Sequence, residues 1–327
     1  MKCLYRPLAV TLALTFAITA WGAERKLTWP VAASIEIPHS SGKFDFLRVD
    51  SKRRRLLAAH EKDGTSDFID LRKHALIRRV KVGTAVDTAP DGDSRFYYVS
   101  VQEGERVAVI DAATLREANS IKMAGPTDAI IYEPKNHQLY ATHDDGSEVW
   151  VIDPRAAKVV ATIAIPGVPE YLVYDPSADR IYLNIKSKDL VAVIDPTANK
   201  VIAEWSTAPA TQPHGLALDE ARHRVYSAGA NGRLVAIDTA TGAVTGAVDI
   251  TPEVDQIAFD AASGLLYCAG TGHMSVVQAR GSLRRLGDLA TAATARNVAV
   301  DPATRNVWTT YTDGKSSFAK AWSAPQP

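Results

Sequence analysis

The chain repeats itself seven times, and this repeat limits the folds that are open to it. A column of large apolar residues recurs with successive members 40 to 44 residues apart, and it consists of Leu57, Tyr97, Tyr140, Tyr182, Tyr226, Tyr267 and Trp308. A second column follows the same period and reads Asp70, Asp111, Asp153, Asp195 and Asp238, with Gln278 in the sixth copy. Two independent columns with one period predict a tandem array of a single structural unit.

Each copy contains four short segments that are rich in β-branched and aromatic residues, which favour pleated strands. In the fifth copy these segments are 215–218, 224–228, 234–237 and 243–248. Turn formers separate them, among them Asn231-Gly232 and Thr241-Gly242, which supply the positive φ of tight hairpins. Four strands in each copy, without helical periodicity, predict an all-β, seven-bladed β-propeller with four-stranded blades.

The two ends of the repeat array complement each other. After Trp308 the seventh copy has room for one more strand, near 317–322, so its fourth strand is missing. An unassigned strand at 31–37 precedes the first copy, and its exit, Ile37-Pro38, resembles Ile165-Pro166, where a fourth strand leads to the next blade. We therefore expect 31–37 to complete the seventh blade and to close the ring, which leaves no open sheet edge between the chain ends.

Two segments carry a family resemblance. Asp175-Pro176, followed by Arg180-Ile181-Tyr182, and the later Asp195-Pro196-Thr197-Ala198-Asn199-Lys200-Val201 resemble the Tyr-Val-x-Asn-type (YVTN) propeller repeat of YncE-like periplasmic proteins. The resemblance covers essentially the whole mature chain and implies a seven-bladed, extracytoplasmic propeller. It implies little about activity, because the motif is structural and a shared fold does not establish an activity, although members of the family are linked to binding roles.

The first residues have the pattern of an export signal. Lys2 and Arg6 give a positive start, 8–20 is an apolar run, and Ala20-Trp21-Gly22 places small residues at the usual cleavage positions. The run is too short to span a bilayer comfortably, although an uncleaved anchor is the alternative. We predict a signal peptide at 1–22 and a single propeller domain at 23–327, periplasmic or secreted and monomeric.

A column of ionisable residues lies at the start of the inner strands. Propellers usually place function on the face where these strands begin, here called the top, or in the central channel. The column, with a spacing of 41 to 44 residues, is Asp45, Asp87, Asp128, Glu170, His214, Asp255 and Arg296. Five carboxylates around one channel mouth would repel one another and raise some of their pKa values. A bound cation would relieve this repulsion, and Arg296 would act as an internal counter-charge.

This acidic ring predicts a binding site for a small ligand or for a divalent metal such as Ca, Zn or Cu. Oxygen ligands suit calcium, whereas nearby histidines favour zinc or copper. The candidate metal ligands are Asp45, Asp128, Glu170, His214, Asp255, His60 and His143. The alternative is a solvated polar ring without a specific ligand. His60 and His143 belong to blades that are not neighbours, so they can share one ion only near the axis.

Catalytic motifs are missing from the sequence. It has no Gly-x-Ser-x-Gly elbow, no His-Glu-x-x-His and no phosphate-cradling glycine loop. We therefore expect a binding protein without catalysis, with recognition at the top face. One alternative is a metal-dependent hydrolase of lactonase type that uses the same acidic ring, because lactonases on related propellers have comparable top-face sites. Another is a scaffold for a periplasmic protein complex.

Basic residues concentrate in the first copy, although the formal net charge of the whole chain is +0. The clusters are Lys52-Arg53-Arg54-Arg55, Arg72-Lys73-His74, and Arg78-Arg79 with Lys81. Such a patch predicts peripheral contact with anionic membrane headgroups or with an acidic partner protein, while a solvated face is the alternative. Nucleic acid is disfavoured as a partner, because no exposed aromatic residues interleave with these charges.

Overall fold

The repeat folds into a closed ring of seven β-sheets. A computed structural model describes residues 25–324, so the predicted signal peptide at 1–22 lies outside the described residues. Each sheet is a blade of four successively antiparallel strands, which confirms the predicted all-β, seven-bladed propeller. Within 25–324 the only helix is a 3₁₀ turn at Glu220–Arg222, and no helix there is long and apolar enough to cross a bilayer.

The blades follow the chain order, with the innermost strand first. Blade 1 contains β3–β6, at Leu47–Asp50, Arg55–His60, Thr65–Asp70 and Ala75–Lys81. Blade 2 contains β7–β10, at Ala85–Pro90, Phe96–Val101, Arg106–Asp111 and Arg116–Lys122. Blade 3 contains β11–β14, at Thr127–Glu133, Gln138–His143, Glu148–Asp153 and Lys158–Ala164. Blade 4 contains β15–β18, at Pro169–Asp175, Arg180–Ile185, Leu190–Asp195 and Lys200–Ser206.

The remaining three blades include the strands from the chain ends. Blade 5 contains β19–β22, at Pro213–Asp219, Arg224–Gly229, Arg233–Asp238 and Val244–Asp249. Blade 6 contains β23–β26, at Gln256–Asp260, Leu265–Gly270, His273–Gln278 and Arg284–Ala290, with β1 at Lys26–Leu27 as an added strand. Blade 7 contains β27–β29, at Ala299–Val300, Asn306–Thr312 and Ser317–Ser323, and β2 at Val31–Ile37.

The two repeat columns have structural roles. Every member of the column of large apolar residues lies on the second strand of its blade and is almost completely buried. The aspartates of the second column end the third strand. Asp195 shows their role, because its Oδ1 accepts hydrogen bonds of 2.9 Å from the backbone N–H groups of Thr197 and Ala198. The same pair of bonds is made by Asp70, Asp111, Asp153 and Asp238. These bonds stabilise the turn that leads to the outer strand.

Each of the seven outer strands carries a one-residue β-bulge. The bulged residues are Ala32, Ile77, Ala118, Val160, Ile202, Thr245 and Leu286. Three of them are exposed apolar side chains, since Ile77, Val160 and Ile202 are 42%, 43% and 44% exposed. A bulge disrupts the regular hydrogen-bonding edge of a strand and increases its twist, so it opposes pairing with another chain. The bulges thus protect the rim of the ring despite its exposed apolar residues.

The N-terminal strand closes the ring as the sequence predicts. Strand β2 pairs antiparallel with β29 along its whole length, from Val31 opposite Trp322 to Ile37 opposite Ser317. Strand β1, which pairs in parallel with β26 of blade 6, was not predicted from the sequence. Gly287 permits this contact, because a Cβ at that position would lie 2.2 Å from the carbonyl oxygen of Arg25.

Side chains from blades that are not neighbours meet on the propeller axis and fill the channel. The rings of Phe46 in blade 1 and Tyr171 in blade 4 have centroids 4.9 Å apart, and the Arg48 guanidinium lies 4.9 Å from the Tyr171 ring centroid. From blade 6, the amide of Gln256 accepts from the N–H of Leu47 at 3.1 Å and donates to its carbonyl at 2.8 Å. These contacts form a floor, so the top mouth is a closed bowl and not the opening of a pore.

Candidate functional site

Strand pairing defines which residues are equivalent at the channel mouth. Ala85 and Thr127 are the first paired residues of inner strands β7 and β11. The residue that follows is Val86 in blade 2 and Asp128 in blade 3, so Asp87 lies one position further along its strand. The mouth ring of the structure therefore contains an apolar member, and it consists of Asp45, Val86, Asp128, Glu170, His214, Asp255 and Arg296.

Asp87 forms a buried ion pair below the mouth. It is 0% exposed, and Arg48 of blade 1 binds both of its carboxylate oxygens, with Nε 2.7 Å from Oδ1 and Nη2 2.5 Å from Oδ2. The backbone N–H of Ile130 in blade 3 also donates to Oδ2, at 3.0 Å. Asp87 therefore links the inner strands of blades 1, 2 and 3. Its carboxylate is fully occupied by these bonds, so the structure separates it from the other predicted ring residues.

The remaining ring carboxylates interact electrostatically across the mouth. Burial, followed by the negative charges of Glu170 and Asp45, raises the pKa of Asp128 well above its ordinary value. Burial and the charge of Asp255 likewise raise the pKa of Asp45 well above its ordinary value. Burial also raises the pKa of Glu170, although the charges of His214 and Lys186 oppose the increase. The mouth is therefore a concentrated region of carboxylates that are costly to ionise together.

Three of the four carboxylates have a nearby cation. Lys186 Nζ lies 2.9 Å from Glu170 Oε2, Arg296 Nε lies 3.7 Å from Asp255 Oδ2, and Lys43 Nζ lies 3.9 Å from Asp45 Oδ2. Asp128 is different, because within residues 25–324 its carboxylate has neither an ion-pair nor a hydrogen-bond partner, and the more distant charge of Lys186 opposes the rise of its pKa only in part. Asp128 is nevertheless only 7% exposed. Ionising a carboxylate in such a position costs free energy, which a further group that binds it would offset.

The loops between second and third strands explain why Asp128 is unpaired. In blade 4 the first residue after the second strand is Lys186, which neutralises Glu170. The equivalent residue in blade 3 is Asp144, whose charge is one of the causes of the raised pKa of Asp128. The sequence columns did not identify Lys186 or Asp144, because they lie on a different loop. Their position just after a second strand, which ends at the same face, is the signal that could have found them.

His214 contributes a nitrogen to the mouth. Its Nδ1 lies 2.8 Å from the carbonyl oxygen of Gln212, so Nδ1 carries the proton and donates this hydrogen bond. The neutral ring therefore has Nε2 free as an acceptor. The charge of a protonated His214 lowers the pKa of Glu170, which shows that the two side chains act on the same region.

The other two candidate metal ligands are held in separate hydrogen-bonded sites. His60 is completely buried, with Nδ1 2.9 Å from Asp67 Oδ2, and its ring is stacked on Phe44. His143 lies against Trp150, with Nδ1 3.2 Å from Glu148 Oε1. Within the described residues, no three His, Cys, Asp or Glu side chains are close enough together to hold a metal ion.

The basic clusters of blade 1 divide between internal ion pairs and an exposed surface. Arg54 Nη2 lies 2.5 Å from Asp301 Oδ2 and thereby links blade 1 to blade 7. Arg79 binds Asp63 and Asp67 on the outer side of the blade. The turns at 51–54 and 71–74 lie at the strand ends opposite the mouth, so the charges on these two turns face away from the acidic ring.

Comparisons with known proteins establish the fold alone. No protein-family model and no curated protein sequence matches the chain, so its resemblance to YncE-like repeats stays a prediction. A structure of a mitotic checkpoint complex is similar, with a TM-score of 0.80 and 14% identity, over 98% of this chain and 99% of that chain. The WD40 repeats of RRP9 give a TM-score of 0.77 with 9% identity, over 90% and 99%. Hydrazine synthase from Kuenenia stuttgartiensis gives 0.76 with 14% identity, over 86% and 96%.

Proposed function

We propose that this chain is an exported, non-catalytic binding propeller whose mouth ring holds an organic cation, such as the ammonium or guanidinium group of a ligand or of a partner's basic side chain. The observation that carries the proposal is the buried and unpartnered carboxylate of Asp128. A cation beside it would supply the missing ion pair and would reduce the repulsion from Glu170 and Asp45. The sequence pattern of 1–22 supports export.

Several features of the site favour an organic cation over a metal ion. The carboxylates lie on different blades around a bowl, and no three of them converge at ligand distance within residues 25–324. Ammonium and guanidinium groups have several N–H donors, so they can bind carboxylates that a single ion would not reach. The channel floor of Phe46, Arg48 and Tyr171 would stop the ligand at the mouth.

Propellers within known assemblies support a macromolecular source for this cation. The similar propeller in the mitotic checkpoint complex was solved as part of a complex, and its fold matches nearly the whole of this chain. Side-chain recognition at a propeller mouth needs only one lysine or arginine on an exposed loop of a partner. We therefore propose a protein with an exposed basic loop as the occupant.

Calorimetric titration with capped tripeptides tests this function. Lysine- and arginine-containing tripeptides should bind, and a capped glycine tripeptide should not. Asp128→Asn should weaken their affinity by about 10- to 100-fold, since a hydrogen bond to a charged group contributes about 1.5–3 kcal/mol. Asp145→Asn is the matched control, because it removes the same charge from an exposed position on the top face of the same blade.

Two results would contradict the proposal. One is the absence of binding by both basic tripeptides to the wild-type protein at low ionic strength. The other is an equal loss of affinity in Asp128→Asn and Asp145→Asn, which would mean that only the general negative potential attracts the ligand. Titration of a metal-stripped sample with Ca, Zn and Cu tests the metal hypothesis. Binding of one of these ions that is lost in Asp128→Asn would mean that a metal ion, and not an organic cation, occupies the mouth.

A further inference from the structure

A second charged cavity lies on the face opposite the mouth ring, at the bottom of blade 1. It has a volume of about 400 Å³ and is formed by the turns that follow β3 and β5 and by the start of β6. We call it the blade 1 cleft, and its lining residues are Arg53, Arg55, Asp70, Arg72, Lys73, Ala75, Leu76 and Ile77. Four of these eight residues are cationic and only one is anionic.

Neutral oxygen atoms hold the arginine side chains of the cleft in place. Arg53 Nε donates to the carbonyl oxygen of Ser94 at 2.5 Å. Arg55 Nη1 donates to the carbonyl of Ala112 at 2.5 Å and to the hydroxyl of Tyr97 at 3.2 Å. These acceptors fix the guanidinium groups without neutralising them. In residues 25–324 no carboxylate lies within ion-pair distance of Arg53 or Arg55, and their other N–H groups have no protein acceptor.

Blade 4 shows that the same repeat position can be neutralised internally. Arg180 begins its second strand, as Arg55 does in blade 1, and Asp195 ends its third strand, as Asp70 does. Arg180 Nη1 lies 3.5 Å from Asp195 Oδ2, so blade 4 neutralises this arginine within its own blade. In blade 1 the guanidinium of Arg55 reaches across to blade 2 instead. Blade 5 resembles blade 1, since Arg224 at the same position donates to the carbonyl oxygen of Gly281 in blade 6 at 3.1 Å. The repeat therefore permits both arrangements, and in blade 1 it leaves the guanidinium of Arg55 without a carboxylate partner.

Three carboxylates near the cleft are already bound to the backbone. Asp70 Oδ1 accepts from the N–H groups of Arg72 and Lys73 at 2.7 and 2.9 Å. Asp111 of blade 2 makes the corresponding bonds in its own turn, and Arg53 is close enough to contribute to the lowering of its pKa, after the hydrogen bonds from Thr114. Asp50 also lies close, since its Oδ1 accepts from the Arg53 N–H at 3.2 Å and its Oδ2 from the Tyr97 hydroxyl at 2.7 Å. Four cations against these three carboxylates leave an excess of one positive charge in the cleft.

We propose that the blade 1 cleft binds a phosphate group, either from a soluble phosphate ester or from a phospholipid headgroup. Fixed guanidinium groups with free N–H donors match the oxygen geometry of phosphate and can bind it in pairs. Arg72, whose Nη1 donates to the carbonyl oxygen of Arg53 at 3.3 Å, and Lys73 would add positive charge at the rim. Ile77, which is 42% exposed, gives the cleft an apolar edge beside the anion.

Phosphate binding by the full mature chain tests the site directly. Inorganic phosphate is titrated calorimetrically, and vesicles of phosphatidylglycerol are compared with vesicles of phosphatidylcholine in sedimentation. The double variant Arg53→Gln/Lys73→Gln should weaken binding of the anionic probe at least about tenfold, because it removes two charged contacts. Arg180→Gln is the matched control, since that arginine is neutralised by Asp195 and should bind no phosphate.

The outcomes separate the source of the phosphate from the existence of the site. Saturable binding of inorganic phosphate supports a soluble ester, whereas salt-sensitive binding to phosphatidylglycerol vesicles alone supports a headgroup. The proposal is overturned if the wild-type chain binds neither probe at low ionic strength. It is also overturned if Arg53→Gln/Lys73→Gln and Arg180→Gln change binding equally. Asp128→Asn should leave phosphate binding unchanged, so this test does not depend on the mouth ring.

Discussion

Replacing Asp128 with asparagine should make the protein more stable at neutral pH. The side chain is 7% exposed, and within the described residues its carboxylate has no hydrogen-bond or ion-pair partner. A buried polar group without a partner costs about 1–3 kcal/mol, and more when it is charged. Asparagine has nearly the same shape but no charge to bury and no repulsion from Glu170 or Asp45. We therefore expect Asp128→Asn to raise the free energy of unfolding by about 1–3 kcal/mol.

The stability gained by Asp128→Asn should increase as the pH rises. An aspartate in the unfolded chain has a pKa of about 3.9, and burial together with Glu170 and Asp45 raises the pKa of folded Asp128 well above its ordinary value. The folded wild type thus keeps a proton that the unfolded chain loses, so its stability falls as the pH rises through the raised pKa. The difference between variant and wild type should vanish near about pH 4 and reach its maximum above the raised pKa.

Urea unfolding, followed by the fluorescence of the six tryptophans, measures this difference between about pH 4 and about pH 8. Asp145→Asn serves as the control, because its exposed side chain should change the free energy of unfolding by no more than about 0.5 kcal/mol. A variant Asp128→Asn that is equal to or less stable than the wild type at the upper pH would refute the reasoning. It would mean that Asp128 gains from its surroundings when ionised.

Three further predictions concern the scaffold. Asp87→Ala should destabilise the fold by about 3–5 kcal/mol in urea unfolding, because it leaves the largely buried guanidinium of Arg48 without its carboxylate partner. Tyr97→Phe should lower the free energy of unfolding by about 1 kcal/mol, because it removes the 2.7 Å hydrogen bond from the Tyr97 hydroxyl to Asp50. Tyr267→Phe should leave it almost unchanged, since among the described residues the buried Tyr267 hydroxyl has no hydrogen-bond partner. Deletion up to residue 37 should give aggregates in size-exclusion chromatography, because it exposes the edge of β29, whereas deletion through 27 should not.

The number of blades and the closure of the ring could be predicted from the sequence. Both follow from spacing alone, because a fixed period counts the units and a missing fourth strand at one end requires a spare strand at the other. The pairing of β2 with β29 confirms this inference. Strand β1 could not be predicted in the same way, since two residues carry no periodicity. Its pairing depends on Gly287, which allows the backbone of Arg25 to approach closely.

The composition of the mouth ring was less predictable because strand register changes within the repeat. Asp87 fits the sequence period as well as Val86 does, since both lie 41 to 44 residues from the neighbouring ring members. A bulge at the start of β7 decides between them, and a shift of one residue turns a side chain to the other face of a strand. The ion pair between Asp87 and Arg48 also joins two separate copies of the repeat, so no pattern within a copy could reveal it.

The strongest candidates for functional residues are charged side chains that are neutralised in one blade but not at the equivalent position of another blade. In blade 4, Glu170 is paired with Lys186 and Arg180 with Asp195, so both of these charges are neutralised within the blade. Blade 3 replaces the lysine with an acid and leaves Asp128 unpaired, and in blade 1 Arg55 lies away from its aspartate. Because the pairing in blade 4 shows that the same backbone can satisfy these charges internally, the scaffold does not require the unpaired ones. Such an unpaired charge lowers the stability of the fold, and the fold does not need it. It is best explained by a ligand that supplies the missing counter-charge.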